Sequence, residues 1–153
     1  MQAASVKDRQ HTDAARAASA VAAAVMAALA LFEIGLAAGL PWGAAAWGGG
    51  QSVLSPGLRL ASVGAAVIWV VGLLAVLRRG GFQVWSPLPD RWTGAAAWVF
   101  AAYAAFMVLA NAASPSGIER AVMTPSSVVL AVTCALIARW GAAPSPLADS
   151  RSR

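Results

Sequence analysis

Charge is what this sequence has least of. Asp, Glu, Lys and Arg make up 11% of its 153 residues, while hydrophobic residues make up 59%. Soluble domains carry roughly a quarter charged residues, so a water-soluble globule is not the expectation. The single cysteine, Cys134, has no partner for an internal disulfide, and the single histidine, His11, cannot build a Cys/His metal site with it. The 14 Gly and 8 Pro follow no G-x-y period, and the long apolar runs are those of a chain that buries surface, so collagen and disorder drop out. No Walker loop, dinucleotide fingerprint, HExxH, nucleophile elbow or Ser/His/Asp set occurs. No cofactor, no metal site and no enzyme activity are therefore expected.

A net charge of +5 and a pI near 11.1 would suit nucleic acid if the basic residues were gathered on one face. They are Lys7, Arg9, Arg16, Arg59, Arg78, Arg79, Arg91, Arg120, Arg139, Arg151 and Arg153, scattered between apolar stretches. That spacing suits membrane topology, not a nucleic-acid partner.

A bilayer core about 30 Å thick needs about 20 mostly apolar residues per helix, each backbone group being bonded within the helix. Four stretches qualify: 18–40, 56–77, 92–113 and 118–138. The fold class expected is all-α membrane protein, an antiparallel four-helix transmembrane bundle with both ends inside. Residues 1–17 read as a disordered polar arm and 141–153 as a disordered tail. The apolar run of the first span is too long for the core of a cleaved signal peptide.

Several edges carry their own chemistry. Ser55 before Pro56 reads as an N-cap followed by proline at the first helical position, where the missing N–H is no loss. Asp90 reads as a cap for the third helix. Ser116-Gly117-Ile118-Glu119 reads as a capping box. Pro125 predicts a kink early in the fourth helix, and Gly141 with Pro144 and Pro146 its end.

Orientation follows from Lys and Arg, which are retained on the cytoplasmic side. The arm, the connection between helices two and three and the tail hold nine of the basic residues; the other flanks hold Arg59 and Arg120 alone. Both termini are expected in the cytoplasm of a bacterium, with the chain a multi-pass protein of its inner membrane. Trp42, Trp47, Trp85, Trp92 and Trp140 fall near the expected interfaces, where indole rings concentrate. The pentapeptide Gly-Ala-Ala-Ala-Trp occurs at 43–47 and again at 94–98, but in non-equivalent places, so it marks no duplication.

Glu33 is the most informative residue. It falls within the first span, about two turns below the outer interface, where an ionised carboxylate costs several kcal/mol unless paired or hydrated. Two readings stay open with equal weight: a ligand or proton site, or a structural acid that is protonated or salt-bridged. Depth selects its candidate neighbours. Arg59 and Ser62 open helix two, Asn111 and Ser114 end helix three, and Glu119 and Arg120 begin helix four. Together with Glu33 they form an expected polar cluster in which two acids face two guanidiniums, against the alternative that Arg59, Glu119 and Arg120 face water or headgroups.

The outer connection holds Pro41-Trp42-Gly43 and Trp47-Gly48-Gly49-Gly50, too apolar for an ordinary solvated loop. With Trp42 and Trp47 it forms either a lid above Glu33 or an aromatic anchor in the headgroup layer. Tyr103 and Trp69, near mid-membrane, read as packing residues, and Cys134 as a small buried apolar one.

Glu33, the PWG and WGG of the outer loop, Leu54 to Ser62, and Asn111-x-x-Ser-x-Ser-x-x-Glu-Arg120 together resemble a group of uncharacterised bacterial four-helix integral membrane proteins. The likeness runs from helix one to helix four; the reading LSPGLRLAS departs from it in lacking a second proline beside the leucine. It implies the topology and the outer residues, and it carries no activity. Small multidrug transporters are similar in having four helices and a membrane glutamate in the first, but they are shorter and lack the aromatic outer segment.

Three functions remain. The first is a binding or transport-associated protein using Glu33 for a small ligand. The second is an accessory or structural subunit that binds other membrane proteins through apolar faces. The third is an enzyme on a lipid-like substrate, for which no nucleophile or metal set is present. The expected partners are the lipid bilayer and a second copy of the chain or a heterologous membrane protein; so small a bundle leaves little room for an aqueous path, and transport would call for a homo-oligomer.

Overall fold

A computed structural model of the chain describes the backbone of residues 2–143 and the side chains of residues 6–143. Four helices carry the fold: α1 Gln2–Ala38, α2 Pro56–Arg79, α3 Asp90–Ala112 and α4 Thr124–Trp140, the last entered through a π-helical turn, Glu119–Met123. No strand occurs among the described residues. All four are long and apolar enough to cross a membrane. At about 1.5 Å per residue α2 and α3 reach about 35 Å, a little more than a hydrocarbon core.

The helix ends follow from local chemistry. At the end of α1, Gly39 takes a left-handed φ of 92°. The Gly39 N–H then donates to Leu36 O and the Leu40 N–H to Gly35 O, both at 3.0 Å, which satisfies the last carbonyls by the Schellman pattern. The end of α2 repeats it, with Gly81 at φ 83° and the Gly81 and Phe82 N–H groups donating to Arg78 O and Leu77 O. Ser55 and Pro56 open α2 as expected, but the Ser55 side chain makes no capping bond.

Three expectations need correction. Residues 2–17 are not a disordered arm but the first turns of a 37-residue α1. The segment is rich in Ala, the strongest helix former, and it is tied down where the His11 ring meets Trp140 at 4.7 Å and Arg16 lies 4.4 Å above the Phe82 ring. Asp90 does not cap α3, since Pro89 holds that position; its carboxylate instead takes a bidentate pair from Arg78, Nε to Oδ1 at 2.8 Å and Nη2 to Oδ2 at 3.0 Å. The capping box at 116–119 is half formed. The Glu119 N–H donates to Ser116 Oγ at 3.2 Å, but the Ser116 N–H goes to Ser114 Oγ and the Glu119 carboxylate points elsewhere. The expected tail from 144 onward lies outside the described residues.

Pro125 has no N–H to offer the carbonyl of Ala121, and Ala121 falls within the π-helical turn. Local widening therefore stands where a proline kink was expected.

The helices form a ring in which α1 packs on α2 and α4, and α3 on α4 and, most lightly, on α2. The first half of α1 meets the end of α2, Ser19 standing against Gly80, while Gly39 at the end of α1 meets Arg59 near the start of α2. The core sits in the half containing the start of α1. There Ala22, Met26, Val76, Ala97, Cys134 and Ile137 are all fully buried, the small side chains letting the backbones approach closely. Outward-facing positions are apolar as well: Leu60 is 73% exposed and Leu109 71%. The opposite half is hollow, and it is roofed by the 39–55 connection.

Candidate functional site

The hollow half encloses a cavity of about 770 Å³. Its wall comes from all four helices: Phe32 and Glu33 of α1, Trp69 of α2, Phe100, Tyr103 and Asn111 of α3, and Ser127 and Leu130 of α4. Residues 45–48 form the roof. Most of this wall is apolar, as ligand cavities are. Ile68 of α2 and Val99 and Tyr103 of α3 belong both to the wall and to the exposed surface, as do Trp47 and Gly48 of the roof and Ala110, Ala113 and Pro115 at the C-terminal end of α3. The two helices meet where Phe100 fills the space left by Gly72 and the Trp69 ring lies 6.1 Å from those of Phe100 and Tyr103.

Glu33 stands in the wall as a half-buried carboxylate. Its Oε2 is buried with no hydrogen-bond partner among the described residues. Ser62, fully buried on α2, is its hydrogen-bonding neighbour, and the Tyr103 hydroxyl lies within electrostatic reach. No ion pair joins Glu33 to Arg59 or Arg120 among the described residues. Arg59 instead donates through Nε to Ala37 O at 2.8 Å, with its guanidinium stacked over Gly39. It serves a helix C-terminus, where orphan carbonyls and the dipole both favour a cation. Arg120 is exposed and donates to Ser114 O. The expected charge compensation is thus absent from both carboxylates; each arginine is drawn to the nearer backbone carbonyl.

Glu119 answers differently. Buried to 6% exposure at the edge of the cavity, it accepts at Oε1 from the Gly48 N–H at 3.0 Å and at Oε2 from the Ser114 hydroxyl. This carboxylate therefore pins the roof to the first turn of α4. Ser116 Oγ adds a second tie, donating to Ala44 O at 2.7 Å. Trp47 supplies a third, its indole N–H reaching Ser62 Oγ at 3.4 Å. Trp47, Gly48 and Gly49 all have left-handed φ, at 53°, 81° and 70°. For a tryptophan that conformation costs about 1–2 kcal/mol and persists only where surrounding contacts enforce it. Gly43 is needed for a different reason: a Cβ there would stand 2.4 Å from Gln51 O, where the loop closes on itself.

Of the seven polar residues expected together, Glu33, Asn111, Ser114 and Glu119 line the cavity and Ser62 stands just behind it; Arg59 and Arg120 do not reach it. Asn111 Nδ2 donates to Ser127 Oγ at 3.1 Å, a buried link between α3 and α4. Trp47 is in the roof, whereas Trp42 lies outside it, stacked on Phe32 at 5.9 Å and 2° and set against Gly35. Sequence reasoning missed Gly48 as the partner of Glu119, because a backbone N–H belongs to every residue type. Trp69 and Tyr103, read as packing or interhelical residues, do meet across α2 and α3, and both also line the cavity.

The π-helical turn contributes Glu119 and Met123 to the wall, and Thr124 Oγ1 beside it is buried without a partner. Such turns are rare and recur at functional sites. No group of His, Cys, Asp and Glu among the described residues is placed to hold a metal ion. No family model, curated protein or solved structure matches the chain.

Proposed function

We propose that this chain is a small integral protein of a bacterial inner membrane that binds a small ligand in the outer half of its bundle, with Glu33 as the polar contact. Both termini lie in the cytoplasm and neighbouring spans run antiparallel. Nine basic residues against two support that orientation, and the meetings of Ser19 with Gly80 and of Gly39 with Arg59 support the alternation. On this reading the roof faces the periplasm and the light α2–α3 seam faces lipid.

The observation that carries the proposal is the state of Glu33. A structural acid in a membrane helix is held by a counter-ion or by several donors. Glu119 has its donors in the protein; Glu33 borders a cavity, and among the described residues its Oε2 has no donor and no guanidinium is in ion-pair range. Spare acceptor capacity beside a preformed, mostly apolar cavity is what a binding site requires. No catalytic set accompanies it, so a non-enzymatic role fits the residues present.

The test is Glu33→Gln. If Glu33 serves a ligand, the variant accumulates in the membrane at the wild-type level and melts at the same temperature or slightly above, because an uncompensated carboxylate has been removed. Loss of accumulation would point to the alternative, an accessory or structural subunit in which Glu33 holds the bundle or a partner helix.

A further inference from the structure

We infer that the basic end of the bundle, opposite the cavity, holds one anionic phospholipid with its phosphate on the guanidinium of Arg79. The inference needs the four spans to lie in a bilayer, and it is independent of Glu33. Arg79 carries it, as the cation that the fold half buries and leaves without an acceptor.

Arg79 is the last residue of α2. Its guanidinium lies on Gly94 of α3, where an added Cβ would stand 3.2 Å from Cζ and 3.4 Å from Nε and Nη2. Its stem lies on Gly141, just past α4, where a Cβ would stand 3.0 Å from Cγ. Two glycines thus make the notch in which the side chain is seated. The residue is half-buried and its Nε fully so, yet no hydrogen bond or ion pair reaches it among the described residues. The other half-buried arginines are served, Arg59 by Ala37 O and Arg78 by Asp90. A charged donor withdrawn from water without an acceptor costs free energy, which an anion from outside removes.

The acids at this end do not supply that anion. Asp90 is taken at both oxygens by Arg78, and Asp8 and Asp13 stand exposed on the first turns of α1 with no ion pair to Arg79. Arg91, one turn before Gly94 on α3, and Arg139, close before Gly141, are exposed as well. A zwitterionic headgroup would bring its own cation toward these charges; an anionic one would not. The depth suits lipid, since a helix of about 35 Å carries Arg79 to the headgroup layer. Trp85 and Trp92 are exposed at the same end, where indole rings favour the interface. Guanidinium matches phosphate oxygens in a bidentate pair. Trp98, exposed one turn beyond Gly94 on the same face of α3, offers apolar surface to the acyl chains, which a free phosphate would not use.

The experiment is native mass spectrometry of the full chain, released from micelles holding equal amounts of dioleoyl-phosphatidylglycerol and dioleoyl-phosphatidylcholine. The two lipids share acyl chains and a phosphodiester and differ in net charge. The wild-type chain should retain one phosphatidylglycerol in preference to phosphatidylcholine by about fivefold or more. Arg79→Gln should bring the ratio close to parity. Lys7→Gln, which removes the same charge from an exposed site at the same end, should leave it unchanged. Gly94→Ala keeps every charge but presses a methyl group on the guanidinium, and it should lower the ratio too, so poor folding of Arg79→Gln leaves the site testable. Equal retention of the two lipids by the wild-type chain would overturn the inference, as would either notch variant leaving the ratio unmoved. Equal losses in Arg79→Gln and Lys7→Gln would replace the site by diffuse attraction. Displacement of the lipid by inorganic phosphate as readily as by added phosphatidylglycerol would overturn the lipid as occupant and leave an anion site. None of these outcomes touches the cavity, which is judged by the accumulation of Glu33→Gln.

Discussion

At the residue scale the two membrane carboxylates divide the work. Glu119 is a latch, with both oxygens occupied by the Gly48 N–H and the Ser114 hydroxyl, and Glu33 keeps an oxygen without a donor among the described residues. Replacing Glu119 by Ala leaves the Gly48 N–H and the buried Ser114 hydroxyl without their acceptor, a loss of about 1–3 kcal/mol. In a Cys134→Ala background carrying Ala46→Cys, a roof position only 8% exposed, Glu119→Ala should lower the melting temperature and speed thiol labelling. Glu119→Gln keeps an acceptor for Gly48 and should do much less. An unchanged labelling rate in the alanine variant would mean that the roof is held by its other ties. Legibility at this scale is uneven. Glu33 and Glu119 stand out in the sequence because carboxylates are rare in apolar runs. Their partners do not, since one is a loop backbone and the arginines that looked like counter-ions lie closer to helix ends than to acids.

Among the elements, the α2–α3 seam is the lightest of the four between neighbouring helices of the ring. It is set by Gly72, where an added Cβ would stand 2.4 Å from Phe100 Cζ. Gly72→Ala should therefore push the Phe100 ring or α3 outward and destabilise the bundle by about 1–3 kcal/mol, the usual cost of overpacking. A thermal melt would read it, and Phe100→Leu in the same chain should restore most of the loss; failure of that rescue would place the strain elsewhere. Helix limits were well marked where local chemistry acts alone. The expected spans 56–77 and 92–113 differ by one or two residues from Pro56–Arg79 and Asp90–Ala112. They were poorly marked where tertiary contact decides. Residues 2–17 look like a solvated arm by composition, yet the meetings of His11 with Trp140 and Arg16 with Phe82 hold them in line with α1.

For the whole molecule, the division into a packed half and a hollow half follows from side-chain size. Alanines gather at Ala22, Ala97 and Ala101 and let the backbones approach, whereas larger side chains such as Phe32 and Met107 line the space above. The proposed orientation can be checked on this scale with a membrane-impermeant maleimide applied to intact cells. Ser52→Cys, in the exposed roof connection, should be labelled from outside, and Gln83→Cys, exposed between α2 and α3, only after permeabilisation. The reverse pattern would invert the topology and put the roof inside the cell. Four spans were visible from hydropathy alone, and a charge-compensated polar pocket in the outer half was expected; that the cavity there would have a mostly apolar wall was not legible, because periodicity reports which residues face inward and not what they meet.

The tight alanine-lined half has a consequence for traffic. A monomer built this way is a blind alley: the cavity has no continuation beyond Met26 and Leu130, both shut off from solvent. On the proposed function a guest would leave the way it came, the chain would serve as a receptor or reservoir exchanging with one side of the membrane, and crossing to the other side would require the helices around Ala97 and Cys134 to part.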